Sequence, residues 1–424
     1  MTTIIRADRA HDFLALLPRI AGYTPERSLV WVAFRGARTR AVARFDLPRR
    51  AADRDALVAA SIGLLCRLEG VDAVVPVVYS DAAFRGRRGS GEAALLRLAV
   101  RRAEEAGFLV RDALRVACDA WGSLLDPATP AAGRDLGLIA ASAVCDDLPD
   151  EDAPSASVAR LGVLPDANAA ERQAVESELR SLELDERRGG DRFVDAISRL
   201  GGLADPVALV EFLLDADCTG ECRHRIAPHV LAWLVHLAAL PRYRDALMLQ
   251  IAFGPDIGSL ALDEPEDEPD HEPDDELDDE LDDKPEDDEE DVAVGHEHQH
   301  ARRADVEGAA ALRDLLSRLL VGQTRERPDA ARVEHGLALL RRAASVAPER
   351  SRAGVLCMAA WLAWSRARGS AAAALLELAE DAEPGYPMAT LLLRLLGTGA
   401  LPEWSFVEPS AEVSARPADR WPAR

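Results

Sequence analysis

Three short stretches of this chain hold residues whose types and spacing could do chemistry. The first is Arg85-Gly86-Arg87-Arg88-Gly89-Ser90-Gly91, a glycine-rich run with Asp81 just upstream. Guanidinium groups fork onto phosphate or carboxylate oxygens, and the free N–H groups of a following helix add to that pull. Asp81, Arg85, Arg87, Arg88 and Ser90 are therefore the candidate residues for a small anionic ligand. The spacing matches no phosphate fingerprint, and a flexible polar loop explains the same composition. The second stretch is Cys218-Thr219-Gly220-Glu221-Cys222-Arg223-His224, with His229 beyond. Thiolates and imidazoles are zinc ligands, but no second cysteine pair follows, so a short interhelical turn is preferred and no metal is assigned. The third, His296-Glu297-His298-Gln299-His300, must first order a polar strip before it can hold a metal, so a solvated linker is preferred. Nucleophilic catalysis finds no support, for there is no Gly-x-Ser-x-Gly elbow. Asp46, Asp72 and Asp81 fall at or near strand ends, where active-site carboxylates and turn carboxylates both occur.

Composition removes whole classes. The chain has 424 residues and a net charge of −24. The 29 residues Asp263–Asp291 hold 21 of the acids and a single lysine, which leaves 53 acids against 49 bases elsewhere. Such a near-neutral remainder lacks the basic footprint of a nucleic-acid-binding protein. Lys284 is the only lysine, and it lies inside the acidic run. The folded part thus has no Schiff-base lysine and no Walker-type P-loop, and no cofactor is expected. Met1–Ala10 has no apolar run behind it, so no signal peptide is expected. The most apolar run, Val355–Trp364, is about half the length of a membrane span. Six cysteines are too sparse for a disulfide scaffold. A cytoplasmic location follows, with neither nucleic acid nor membrane as a partner.

The elements that must position these residues are legible from periodicity. His11–Ala21 reads as a helix, Ser28–Phe34 as a strand buried on both faces, and Ala41–Phe45 as its hairpin partner. Ala51–Glu69 is helical and Val71–Tyr79 is a strand, in which Pro76 hints at an edge or a bulge. Glu92–Ala106 is a helix and Phe108–Cys118 is strand-like. Strands separated by helices of this length predict an α/β domain with a mixed sheet over residues 1–126. Residues 127–156 read as a loop or linker, 157–262 as helical, and 263–300 as an acidic disordered insert. After it, 301–406 reads as helical hairpins and 407–424 as a disordered tail. Val333–Val346, Ala353–Arg366, Ala371–Ala382 and Met388–Leu396 are expected to stack in order, since short connections favour antiparallel neighbours.

Several segments carry a resemblance. Leu16-Leu17-Pro18-Arg19-Ile20-Ala21-Gly22-Tyr23-Thr24-Pro25-Glu26-Arg27-Ser28-Leu29-Val30 resembles the opening of an actinobacterial family, domain-of-unknown-function family 4192. So do Val77-Val78-Tyr79-Ser80-Asp81, Arg244-Asp245-Ala246-Leu247 and Asp381-Ala382-Glu383-Pro384-Gly385-Tyr386, in that order along the chain. The resemblance brings no assigned activity. Members often carry cysteines soon after a central tryptophan; here Trp121-Gly122-Ser123 is followed by none until Cys145, so no metal or redox role comes over. Trp361–Tyr386 is similar to a tetratricopeptide helix pair, though its large aromatic knobs are thin.

Two readings of function follow. The first is a non-enzymatic interaction or scaffold protein with unknown protein partners, for which Trp361 and Trp364, three residues apart on one helix side, are candidate docking residues. Burial in the core is the plainer account of two tryptophans in so apolar a helix. The second is an enzyme or sensor that binds a small anionic ligand, bearing phosphate or carboxylate, in the α/β domain.

Overall fold

The computed structural model describes residues 9–85, 87–146, 161–187, 206–217, 226–262 and 308–407. The acidic run, Cys218–His224 and His296–His300 lie outside them. The described residues form two compact units, the first built from Met1–Leu164, Ala367–Asp381 and Ala389–Arg424, the second from Pro165–Arg366 and Ala382–Met388.

The first unit is a mixed six-stranded sheet between helices, as the alternation of patterns predicts. Helix α1 (Ala10–Ala21) ends at Gly22, whose φ of +82° lets its N–H close onto the Arg19 carbonyl. Strand β1 (Ser28–Arg35) turns at Gly36 into β2 (Arg38–Asp46), its antiparallel partner. Helix α2 (Arg54–Arg67) leads to β3 (Ala73–Tyr79), and α3 (Arg87–Glu105) to β4 (Leu109–Val110), β5 (Leu114–Val116) and β6 (Trp121–Ser123). The strand order is β2-β1-β3-β5-β6, with β4 also paired to β3. β3 runs antiparallel to β1 and parallel to β4 and β5.

Pro76 therefore stands in a central strand, not at an edge. The carbonyls of Asp72 and Val74 accept from Leu109 and Arg111, so by alternation the Pro76 nitrogen faces that same side. The parallel ladder breaks there: Val74 pairs Val110, and pairing resumes only at Val77 with Leu114. The missing N–H falls in the gap between β4 and β5, where no ladder bond is lost.

Strand alternation divides the core in two. Leu29, Trp31, Val74 and Val78 meet α2 and α3 on one face. Val30, Val32, Val77 and Tyr79 meet Leu14 and Leu17 of α1 on the other. Residues 127–146 wrap back onto this unit: Trp121 pairs with Arg134, and the short helix α4 (Gly137–Ala140) adds Ile139 to the α1-side core.

The second unit is helical. It contains α5 (Ala169–Arg187), α6 (Pro206–Asp217), α7 (Pro228–Ala238), α8 (Pro241–Phe253), α9 (Pro255–Leu262), α10 (308–320), α11 (Ala330–Val346) and α12 (Ala353–Ser365). Prolines open α7 and α8, where a missing N–H costs nothing. Every residue of α12 is buried. It lies so close to α7 that a Cβ on Gly354 would overlap the Ala238 carbonyl. Helix α13 (Gly369–Ala382), as far as Asp381, and α14 (Pro387–Gly397), from Ala389, are grouped with the sheet, whereas α11 and α12 are grouped with the helices. Gly162 lies against α13 so tightly that a Cβ there would stand 2.9 Å from the Ala374 carbonyl oxygen. No described helix is long and apolar enough to cross a membrane.

Candidate functional site

Polar groups concentrate at one edge of the sheet, where the parallel strands β3 and β5 have their carboxyl ends. Ligands of α/β sheets tend to bind at that edge. One row of partners crosses it, from Asp46 through Ser28, Tyr79 and Val116 to Trp121. Asp46 and Asp81 are at this edge. Asp72 is at the opposite one, where its carboxylate accepts from the Gly36 N–H at 2.7 Å and holds the hairpin turn.

The segment between β3 and α3 is tied down from below. Arg115 on β5 is 5 % exposed, and its two terminal nitrogens donate to the carbonyls of Phe84 and Ala83, both at 2.9 Å. Its Nε lies 3.2 Å from Glu92, which also accepts from the Ser80 hydroxyl. The Ser80 oxygen in turn accepts from the Ala82 N–H at 3.0 Å. Glu92 and Arg115 neutralise each other away from water, and together they set the path of residues 80–85.

The sequence-derived ligand residues are spread around that path. Asp81 is 3.6 Å from Arg27, and both side chains are largely exposed. Arg85 is exposed and its Nε donates to the Ala131 carbonyl at 2.9 Å. Arg87, Arg88 and Ser90 belong to the first turn of α3, which begins five residues earlier than its periodicity indicates; their side chains lie outside the described residues. Trp361 and Trp364 are 2 % and 1 % exposed, and the Trp361 indole donates to the Leu320 carbonyl at 2.7 Å. Both are core residues of the second unit.

Sequence reasoning passed over a second group, on the α1 side of the same edge. Ser28 and Tyr79 are directly opposite in register, and Val30, the next residue of β1 on that face, is opposite Arg44. Ser28 Oγ, Arg44 Nε and the Tyr79 hydroxyl are buried with no hydrogen-bond partner. Tyr23, 7 % exposed, stands among them: its phenol bonds Ser370 of α13 and lies within electrostatic reach of Arg44, Asp46 and Tyr79. Burial, the largest cause, pushes both phenols above the ordinary tyrosine range, so both are held protonated as donors. A terminal nitrogen of Arg44 is engaged by Asp46 and the Glu26 carbonyl. The signal for this group was two hydroxyl residues bounding otherwise apolar strands, at Ser28 and Tyr79.

Among the described residues, no cluster of His, Cys, Asp or Glu is arranged to hold a metal ion. The two segments that carry the sequence resemblance most plainly, Leu16–Val30 and Val77–Asp81, meet at this edge through Ser28 and Tyr79 and through Arg27 and Asp81. No curated protein and no solved structure matches the chain. The model of a family described as a domain of unknown function, DUF4192, matches residues 11–260 and again 258–403. With most of its length covered by those two matches, the chain belongs to the DUF4192 family.

Proposed function

We propose that this protein binds a small anionic ligand at the carboxyl edge of its sheet and acts as a sensor or carrier without transforming it. The observation that carries the reading is the trio of buried, unpartnered polar groups, Ser28 Oγ, Arg44 Nε and the Tyr79 hydroxyl. Buried polar groups are usually paired, and these three lie on neighbouring strands of one sheet face, an arrangement that suits a polar molecule. Binding without catalysis fits the chemistry, since neither hydroxyl is hydrogen-bonded to a base that would raise its nucleophilicity. The test is thermal denaturation of the full chain against a panel of small anions at fixed ionic strength. A saturable rise in melting temperature supports the reading; a flat response to the whole panel rejects it.

A protein-interaction role is the second reading, favoured by apolar side chains left outside on the helical unit, Phe212 at 58 % exposure above all. In that reading the tetratricopeptide-like pair is the one read over Trp361–Tyr386, α12 and α13, with Trp361 and Trp364 buried in its first helix, and the partner is a cytoplasmic protein. Loss of a captured partner on Phe212→Ser, with an unchanged melting temperature, is the outcome that reading requires.

A further inference from the structure

The stretch 401–407 follows α14 and belongs to the sheet unit. It holds one 3₁₀ turn, Glu403–Ser405, and no described strand pairs with it. Phe406 is nevertheless 6 % exposed and is a member of the α2-side core, with Leu401 packed against the same cluster. At the end of α2, the Arg67 guanidinium lies over the Phe406 ring, 3.9 Å from its centre, where the ring face attracts a cation. The Glu69 N–H, two residues on, donates to the Phe406 carbonyl at 3.2 Å. The edge strand β2 supplies the other hold. Its register slips against β1, Phe34 pairing with Thr39 and Ala33 with Ala41, so Arg40 is left over as a bulge. A bulge re-aims its side chain out of the alternating pattern, and a terminal nitrogen of Arg40 donates to the Val407 carbonyl at 3.0 Å.

We infer that 401–407 is a strap held as a peptide ligand is held, and that its seat, between the end of α2 and the bulge of β2, is a peptide site filled in cis. One aromatic ring sunk into a core, with donors from the protein on successive main-chain carbonyls, is how an extended segment is recognised: the ring selects, and the carbonyl bonds fix the path. The seat does not depend on the strap for its own shape, because α2 packs on α3 and β2 is paired along β1. Attachment to α14 keeps the strap at an effective concentration on the order of millimolar. Another aromatic-bearing segment reaches the seat only by displacing it.

The experiment places a protease recognition sequence at residues 398–400 of the full chain and cuts it after folding. A labelled synthetic peptide of residues 401–407 is then titrated by fluorescence anisotropy into cut and uncut protein. The cut chain should stay folded, let its severed end exchange, and bind the peptide saturably. The uncut chain should bind at least about tenfold more weakly, because its own strap competes. Phe406→Ala in the peptide leaves the protein untouched and should weaken binding on the order of a hundredfold, as for a lost buried ring. Arg40→Met in the cut chain should weaken it on the order of tenfold, the worth of one hydrogen bond. A cut chain that unfolds, or a severed end that never exchanges, overturns the inference by showing the strap to be an inseparable part of the core. Equal binding by cut and uncut chains, or by the two peptides, overturns the assignment of the seat.

Discussion

Ser28 and Tyr79 stand opposite one another across β1 and β3, on the same face of the sheet, and neither side-chain oxygen has a hydrogen-bond partner. Opposed residues of an antiparallel pair hold their Cβ atoms about 5 Å apart. The two hydroxyl-bearing residues, 0 % and 8 % exposed, have been taken out of water with nothing to replace it. A pair that served packing alone would be better made of valine and phenylalanine, which cost no desolvation. The polar choice at this row is what favours the proposal of a site over a plain core.

Tyr79→Phe therefore stabilises the ligand-free protein, by about 1 kcal/mol, because an unpaired buried hydroxyl is removed and the ring is kept. The pH dependence has a definite sign. Burial raises the Tyr79 phenol above its ordinary value, with the nearby Tyr23 phenol adding to the shift. Below about pH 10 the phenol is neutral folded and unfolded alike, so its contribution is whole. Above that the unfolded chain ionises first, and stability falls as pH rises towards the folded value. Denaturant melts of Tyr79→Phe should lose less stability at alkaline pH than those of the unaltered protein. A variant less stable at neutral pH would show that the hydroxyl is paired.

Arg115 is the other buried charge at this edge, and its loss leaves Glu92 without a counterion. Arg115→Met should destabilise the protein by about 3–5 kcal/mol in denaturant unfolding. Adding Glu92→Leu removes the stranded carboxylate, so the double variant should recover much of that loss. If the double variant is worse than the single, the pair acts through its bonds to Ala83 and Phe84 and not through charge.

Much of this architecture was legible in the sequence, and the unread part has physical causes. The runs Leu29–Phe34 and Val74–Val78 are apolar on both faces, which only a covered sheet explains, so strands and mixed sheet were readable. Pro76 misled because its missing N–H was weighed without knowing that the neighbouring ladder breaks at that position. The sequence pattern places the start of α3 late because Gly89 and Gly91 are poor helix formers. The group of Ser28, Arg44, Tyr79 and Tyr23 is not legible in the sequence, because its members come from separate segments that only the fold brings together.

Glu211 gives the helical unit its own acid limit. Arg332 of α11 donates to both its oxygens, at 2.6 and 2.7 Å, and buried Gln250 donates to one at 2.9 Å. Burial opposes ionisation, but these bonds outweigh it and hold the carboxyl below its usual value. The stabilisation is present above the ordinary glutamate range, near pH 4.3, and is lost as pH falls through the lowered value. Glu211→Gln should cost about 1–3 kcal/mol at neutral pH. Its acid unfolding curve should lie flatter than that of the unaltered chain, and a parallel curve would assign the acid sensitivity to other carboxylates.

The chain's course through its two units predicts what a single cut does. The first unit draws on residues before Leu164 and on Ala367–Asp381 and those after Ala389. The second draws on Pro165–Arg366 and so takes helices from both sides of the acidic run. Within the first unit, Ser370 bonds Tyr23 and α13 lies against Gly162. Within the second, α11 packs on α6, α7 and α8. A break inside Asp263–Asp291 therefore leaves neither unit complete on one fragment. A protease recognition sequence placed at Lys284 lets that break be made alone. The two fragments should co-elute on gel filtration under native conditions and part only in denaturant. A fragment from Arg303 to Trp404 made by itself should lack a cooperative thermal transition, because α11 and α12 lose α7 and α8 while α13 loses the sheet unit. Fragments that separate freely after cleavage, or a cooperative melt of that isolated piece, would show that the last helices form a self-sufficient domain.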